Sequence, residues 1–183
     1  MNSRSVVAAV GAAVIVALLT ACTPEPQPAP TPTSTGFASE ADAFAAAEET
    51  YRAYVDALNQ VDLSDPATFE AVYAWTTGEA NANERQTLST MHAESLAKTG
   101  SNELISFRGD TGSSSLPTEI AAVACVDVST VEVIDLAGDS VVSASRPDRY
   151  ALQLELIASP TTPTGLQIAS SNAIEDPACA PVP

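Results

Sequence analysis

Five prolines, at positions 24, 26, 28, 30 and 32, alternate with small or polar residues in the stretch TPEPQPAPTPTSTG, residues 23–36. Each proline removes a backbone donor and holds φ at about −65°, so neither a helix nor a sheet ladder runs through the segment. Extended polyproline II is the conformation left to it, with a reach on the order of 40 Å at about 3.1 Å per residue. Any packed core must lie to one side. Residues 6–19, on the N-terminal side, carry no charged side chain, follow Arg4, and lead into small residues before Cys22. That order is the pattern of a secretory signal peptide. A bilayer-spanning helix needs about 20 apolar residues, and this run meets Pro24 before reaching that length comfortably. The folded domain is therefore expected over 37–180, with a short tail at 181–183.

Leu19-Thr20-Ala21-Cys22 resembles the lipobox of bacterial lipoproteins: a branched apolar residue, two small ones, then cysteine. The resemblance implies a signal peptide over 1–21 cleaved before Cys22, diacylglycerol on the Cys22 sulfur, and often a further acyl chain, such as palmitate, on the new amino group. It implies a protein lipid-anchored at the extracytoplasmic face of the cell membrane, with residues 22–36 as a disordered linker. Two or more acyl chains, at about 0.8 kcal/mol per buried CH₂, hold a protein far more durably than one. Thr31, Thr33, Ser34 and Thr35 leave open whether the linker bears O-linked sugar or is a bare spacer.

The chain has 7 Lys+Arg against 23 Asp+Glu, a formal net charge of −16. Cleavage would remove Arg4 and no acid, making the mature form more negative still. This balance repels nucleic acid and anionic headgroups. The partners it leaves are the membrane, through the anchor at Cys22, and an envelope protein or small ligand of unknown identity. With Cys22 acylated, Cys125 and Cys179 remain in a chain sent to an oxidising compartment. A disulfide between them is the economical reading and two buried free thiols the alternative. No Cys-x-x-Cys pair and a single histidine, His92, leave too few ligands for a thiol redox centre or a zinc site, and no cofactor is expected.

Ser39 with Asp42 starts a helix expected over 40–59, whose Phe44, Tyr51, Val55 and Leu58 share one face. Asp65-Pro66 offers an N-cap and first-turn proline for a short second helix carrying Phe69, Val72 and Tyr73 and stopping near Thr76-Thr77-Gly78. A third helix is expected over 79–98, with Leu88, Met91, Ser95 and Leu96 on one side and Lys98 and Gly100 as its C-terminal signals. Beyond Gly100 the period becomes two. Strands are expected over 103–108, over 120–135 with a bulge or bend near Ser129-Thr130, through Tyr150, Leu152, Leu154 and Leu156, and over 165–174.

Helices followed by sequential antiparallel strands indicate an α+β domain with three N-terminal helices on one face of a curved four-stranded sheet. In element order, residues 37–179 resemble the nuclear-transport-factor-two-like, cystatin-like superfamily, which implies a cone-shaped interior. They also resemble its lipid-anchored members of high-GC Gram-positive bacteria, in which a cysteine joins an early long strand to the C-terminal tail; Cys125 and Cys179 occupy those places. The superfamily includes ketosteroid isomerases, but no motif here carries their catalytic residues over.

The remaining constellations are weak. Arg108-Gly109-Asp110 matches an integrin-binding tripeptide and Asp110-Thr111-Gly112 an aspartic-protease triplet, yet the triplet has no twin, and both read more simply as a polar hairpin connection. His92 lacks an identifiable partner for proton transfer. Glu48-Glu49, Asp62 with Asp65, and Glu175-Asp176 lack calcium-loop spacing and read as caps and turns. Trp75, Tyr51, Tyr54 and Tyr73 are candidates either to line a cone pocket or to form plain core. The sequence thus points to a non-enzymatic binding domain, with an isomerase- or lyase-type pocket enzyme as the alternative.

Overall fold

The computed structural model describes residues 36–111 and 119–180, all within the compact unit Pro32–Pro183. The signal-peptide, lipobox and linker readings up to residue 35, Gly112 and the rest of its loop, and the tail at 181–183 lie outside the described residues. Among the described residues no helix is long and apolar enough to cross a membrane.

Helix α1 is Glu40–Asn59. Ser39 Oγ accepts the Asp42 N–H at 3.1 Å and donates to Asp42 Oδ2 at 2.7 Å, closing the first turn. Its buried face includes Ala43, Ala47, Tyr51 and Val55, spaced by four so that they share one side. The two alanines let the helix lie close across the sheet. After a 3₁₀ turn at Pro66–Thr68, capped by Asp65, comes α2, Phe69–Tyr73. Phe69, Val72 and Tyr73 are buried as their spacing predicts.

Helix α3, Gly78–Ala93, ends well before the expected 98. Ser95 adopts φ +57°, its N–H bonds His92 O at 3.0 Å, and Leu96 N–H bonds Met91 O at 3.0 Å. This pair of bonds is a Schellman stop with serine in the place glycine usually takes. Lys98 therefore caps nothing in α3: it stands in strand β1, Ala97–Thr99, and its Nζ donates to Leu58 O in the last turn of α1 at 3.4 Å.

The main sheet has the order β2-β3-β5-β6, all antiparallel, with β2 Glu103–Gly109, β3 Glu119–Asp127, β5 Arg149–Ala158 and β6 Leu166–Ile174. Helix α1 crosses β2, β3 and β6, and α3 packs on β6, so helices cover one face of a curved α+β sheet. The 120–135 strand expected from sequence is two strands. After β3 the chain turns at Val128–Val131, and β4, Glu132–Ile134, pairs with β1 in a separate small sheet. The switch of apolar phase near Ser129-Thr130 marks this change of sheet, and the bulges lie elsewhere. The register shifts between Leu104 and Ser106 in β2 and between Glu155 and Leu156 in β5 opposite β6, where an extra residue bends the ladder.

One face of the sheet contributes Ile120, Ala122, Ala124, Leu154, Leu156, Leu166 and Ile168 to a single core with α1. The other is partly closed by the C-terminus. Cys125 and Cys179, the latter in the 3₁₀ turn Pro177–Cys179, are joined by a disulfide and bury Ala151 beneath them.

Candidate functional site

Between the helices and the sheet, titratable groups converge on α1 and α3. Tyr54 donates its hydroxyl to Glu84 Oε1 at 2.5 Å, and the Tyr51 ring lies 5.6 Å from that of Tyr54 and 6.1 Å from that of Phe107. Burial raises the Glu84 carboxyl above its usual range, an effect the Tyr54 hydrogen bond partly offsets. Burial, reinforced by the nearby Glu84 charge, raises the hydroxyls of Tyr51 and Tyr54 well above the tyrosine value. An acid held toward its neutral form beside a phenol is chemistry of the proton-donor kind. Sequence singled out the two tyrosines but not Glu84, although Glu84 lies one turn before Leu88 and one turn after Ala80, both buried, so its spacing was the signal that could have found it.

On the outside, a cleft of about 470 Å³ opens between Met91 of α3, Val131 and Val133 at β4, Val142 and Arg146 of the following loop, and Tyr150. Its walls are mostly apolar, with Ser143, Ser145 and the Arg146 guanidinium as polar members. Arg146 Nη2 donates to Val128 O and Val131 O, each at 2.9 Å, pinning the 143–150 segment against the turn before β4. Another, smaller cleft of about 320 Å³ includes Phe69, Tyr73, Arg85, Ser89 and His92. There His92 Nδ1 meets Leu63 O at 2.7 Å and the ring stands edge-on to Phe69, while the Arg85 guanidinium lies 3.9 Å over Tyr73. His92 thus ties α3 to the chain before α2.

The other sequence candidates fall into structural roles. Arg108 pairs with Asp176 at 2.7 Å, and Gly109 is in β2 because a Cβ there would sit 2.4 Å from the Phe44 ring. Arg108 and Gly109 are therefore strand, with Asp110 just beyond the end of β2, and the glycine is needed for space. Glu48 pairs with Arg52 one turn on, Asp62 accepts from the Ser64 N–H and hydroxyl, and Asp65 and Asp176 cap 3₁₀ turns. The four aromatics divide: Tyr51 belongs to the sheet core, Tyr73 and Trp75 pack in a second cluster around Phe69, Val72 and Leu88, and Tyr54 packs against both. Among the described residues no three His, Cys, Asp or Glu side chains gather as a metal-binding group.

No protein-family model and no curated protein matches the sequence. Among solved structures, the intermembrane space region of the chloroplast protein ARC6 is similar with a TM-score of 0.50 and 14% identity, over 73% of this chain and 97% of that one. A structure from Catenulispora acidiphila in complex with S-DNPA has a TM-score of 0.47 and 12% identity, over 73% and 93%. A periplasmic fragment of TraM has a TM-score of 0.38 and 14% identity, over 75% and 98%. At such identity the likeness to the ARC6 region is one of fold alone. The class it defines is an α+β domain with helices over one face of a curved sheet.

Proposed function

We propose that this chain is a lipid-anchored extracytoplasmic protein, acylated at Cys22, whose domain binds an envelope protein or a small ligand and performs no catalysis. The observation that carries the binding reading is the apolar cleft beside β4, open to solvent in a domain whose interior is given over to packing. Tyr51, Leu154, Leu156, Leu166 and Ile168 are almost wholly buried there. The lipobox and the Cys125–Cys179 disulfide support an oxidising compartment outside the cytosol. The linker supports a domain held off an anionic membrane that its own charge would repel.

One observation favours a second reading, an isomerase or lyase acting within the cone: the neutral-leaning Glu84 carboxyl hydrogen-bonded to Tyr54. Native mass spectrometry of the full protein taken from its source membrane separates the two. The first reading expects a chain starting at acylated Cys22, one intact disulfide, and a retained partner or ligand whose binding survives Glu84→Gln. A chain starting at Met1, or a free thiol at residue 22, overturns the anchoring. A small organic molecule lost in Glu84→Gln favours the pocket enzyme.

A further inference from the structure

We propose that the cleft beside β4 is a docking site for an apolar segment of another protein that carries basic residues on its flanks. The inference rests on the binding reading and specifies its partner.

Leu136 and Val141 stand at 85% and 51% exposure, the two most exposed large apolar residues among those described. Leu136 does not stand out because its loop is loose. The turn that carries it is closed by Asp135 N–H to Asp139 O at 2.9 Å and Gly138 N–H to Asp135 O at 3.0 Å. Asp135 Oδ1 further accepts the N–H groups of Ala137 at 2.8 Å and Asp139 at 3.0 Å. Gly138, at φ +85°, allows the tight return. A leucine is thus displayed in water by a preformed turn, and such display lowers the ordering cost when a partner covers it.

The same hairpin leads into the cleft. Val141 N–H bonds Val133 O at 2.9 Å, and Val141 lines the cleft with Val131, Val133 and Met91, while Leu136 stands exposed in the turn of the same hairpin. Arg146 holds the floor through its two carbonyl bonds.

Charge selects the occupant. The segment from Val131 to Tyr150 contains the acids Glu132, Asp135, Asp139 and Asp148. Of its two cations, Arg149 is paired with Asp127 at 2.9 Å and Arg146 is turned onto backbone carbonyls. No acid lines the cleft itself, whose one charged side chain is Arg146; the acids stand beside it in the hairpin and the following loop of a chain of net charge −16. This surrounding charge favours a segment whose apolar residues are bracketed by Lys or Arg and disfavours an anionic amphiphile or a second copy of this acidic chain.

The test uses the full chain and a fluorescent synthetic peptide with a Leu/Ile core between two lysine pairs, followed by anisotropy. Saturable binding is expected, weakening as salt rises. Leu136→Ser, which removes an exposed side chain and leaves the melting temperature unchanged, is expected to weaken it about tenfold, the scale of one buried leucine. Asp139→Lys is expected to weaken it and to improve binding of the same core between glutamate pairs. The proposal is overturned by equal binding of the glutamate-flanked peptide to the native chain, by no saturable binding, by an unchanged affinity in Leu136→Ser, by laurate occupying the cleft in competition with the peptide, or by self-association that Leu136→Ser abolishes. If the peptide fails while a partner is still retained by the protein from its source membrane, the docking proposal falls and the binding reading stands.

Discussion

Glu84 and Asp127 are both acids, and their surroundings drive them in opposite directions. Burial raises the Glu84 carboxyl, so the folded chain holds that proton more tightly than the unfolded chain does. Its contribution to stability is complete below the ordinary glutamate range and is lost as pH rises through the raised value. In Glu84→Gln this titration is gone. Stability of the variant relative to the parent is therefore expected to improve as pH rises above about 4 and to level off once the raised Glu84 value is passed, in urea unfolding at a series of pH values. A difference independent of pH would contradict the burial. At Asp127 the Ser129 hydroxyl and N–H, then Arg149, hold the carboxyl down to about 2. Its contribution is present above the usual aspartate value and lost as pH falls through about 2. Asp127→Asn should destabilise the domain at neutral pH, with the gap closing in acid. Gly100 is set by space and backbone together: at φ +74°, an added Cβ would sit 1.9 Å from Thr130 O. Gly100→Ala is expected to cost about 2 kcal/mol or more in chemical denaturation, because the obstacle is backbone and cannot rotate away.

Elements were legible where local chemistry and packing agree. α1 runs over the residues its cap and apolar spacing predict, and Tyr150, Leu152, Leu154 and Leu156 mark β5 by simple alternation. They were illegible where a distant partner decided. Lys98 and Gly100 look like a helix stop, yet Lys98 pairs with Val133 in β1, a strand three residues long whose existence depends on β4. The earlier stop uses Ser95 at positive φ, which no sequence rule singles out. A left-handed non-glycine residue costs roughly 1–2 kcal/mol, so Ser95→Gly is expected to raise stability by about 1 kcal/mol after the glycine's own entropy is subtracted. A thermal melt showing no rise would mean that the serine is unstrained. β3 also departs from alternation, being buried on both faces from Ile120 to Val126, since α1 covers one side and the C-terminal turn lies over Cys125 on the other.

At the level of the whole molecule, one covalent link ties the middle of the sheet to the end of the chain. The cysteines lie 54 residues apart in sequence, and closing such a loop in the unfolded chain contributes about 4 kcal/mol in the chain-entropy picture. Cys125→Ala with Cys179→Ala is expected to lower unfolding stability by about 2–4 kcal/mol, and reductant should reproduce the loss in the parent but not in the double variant. Composition, charge and cysteine count were readable from residues alone, as were helices before strands, because each depends on local identity or short-range spacing. The pairing of Glu84 with Tyr54, β4 leaving the main sheet, and a mostly apolar cleft assembled from α3, β4 and the start of β5 were decided only in three dimensions. Burial and strand pairing join residues tens of positions apart, and no local pattern records which distant surface each will meet.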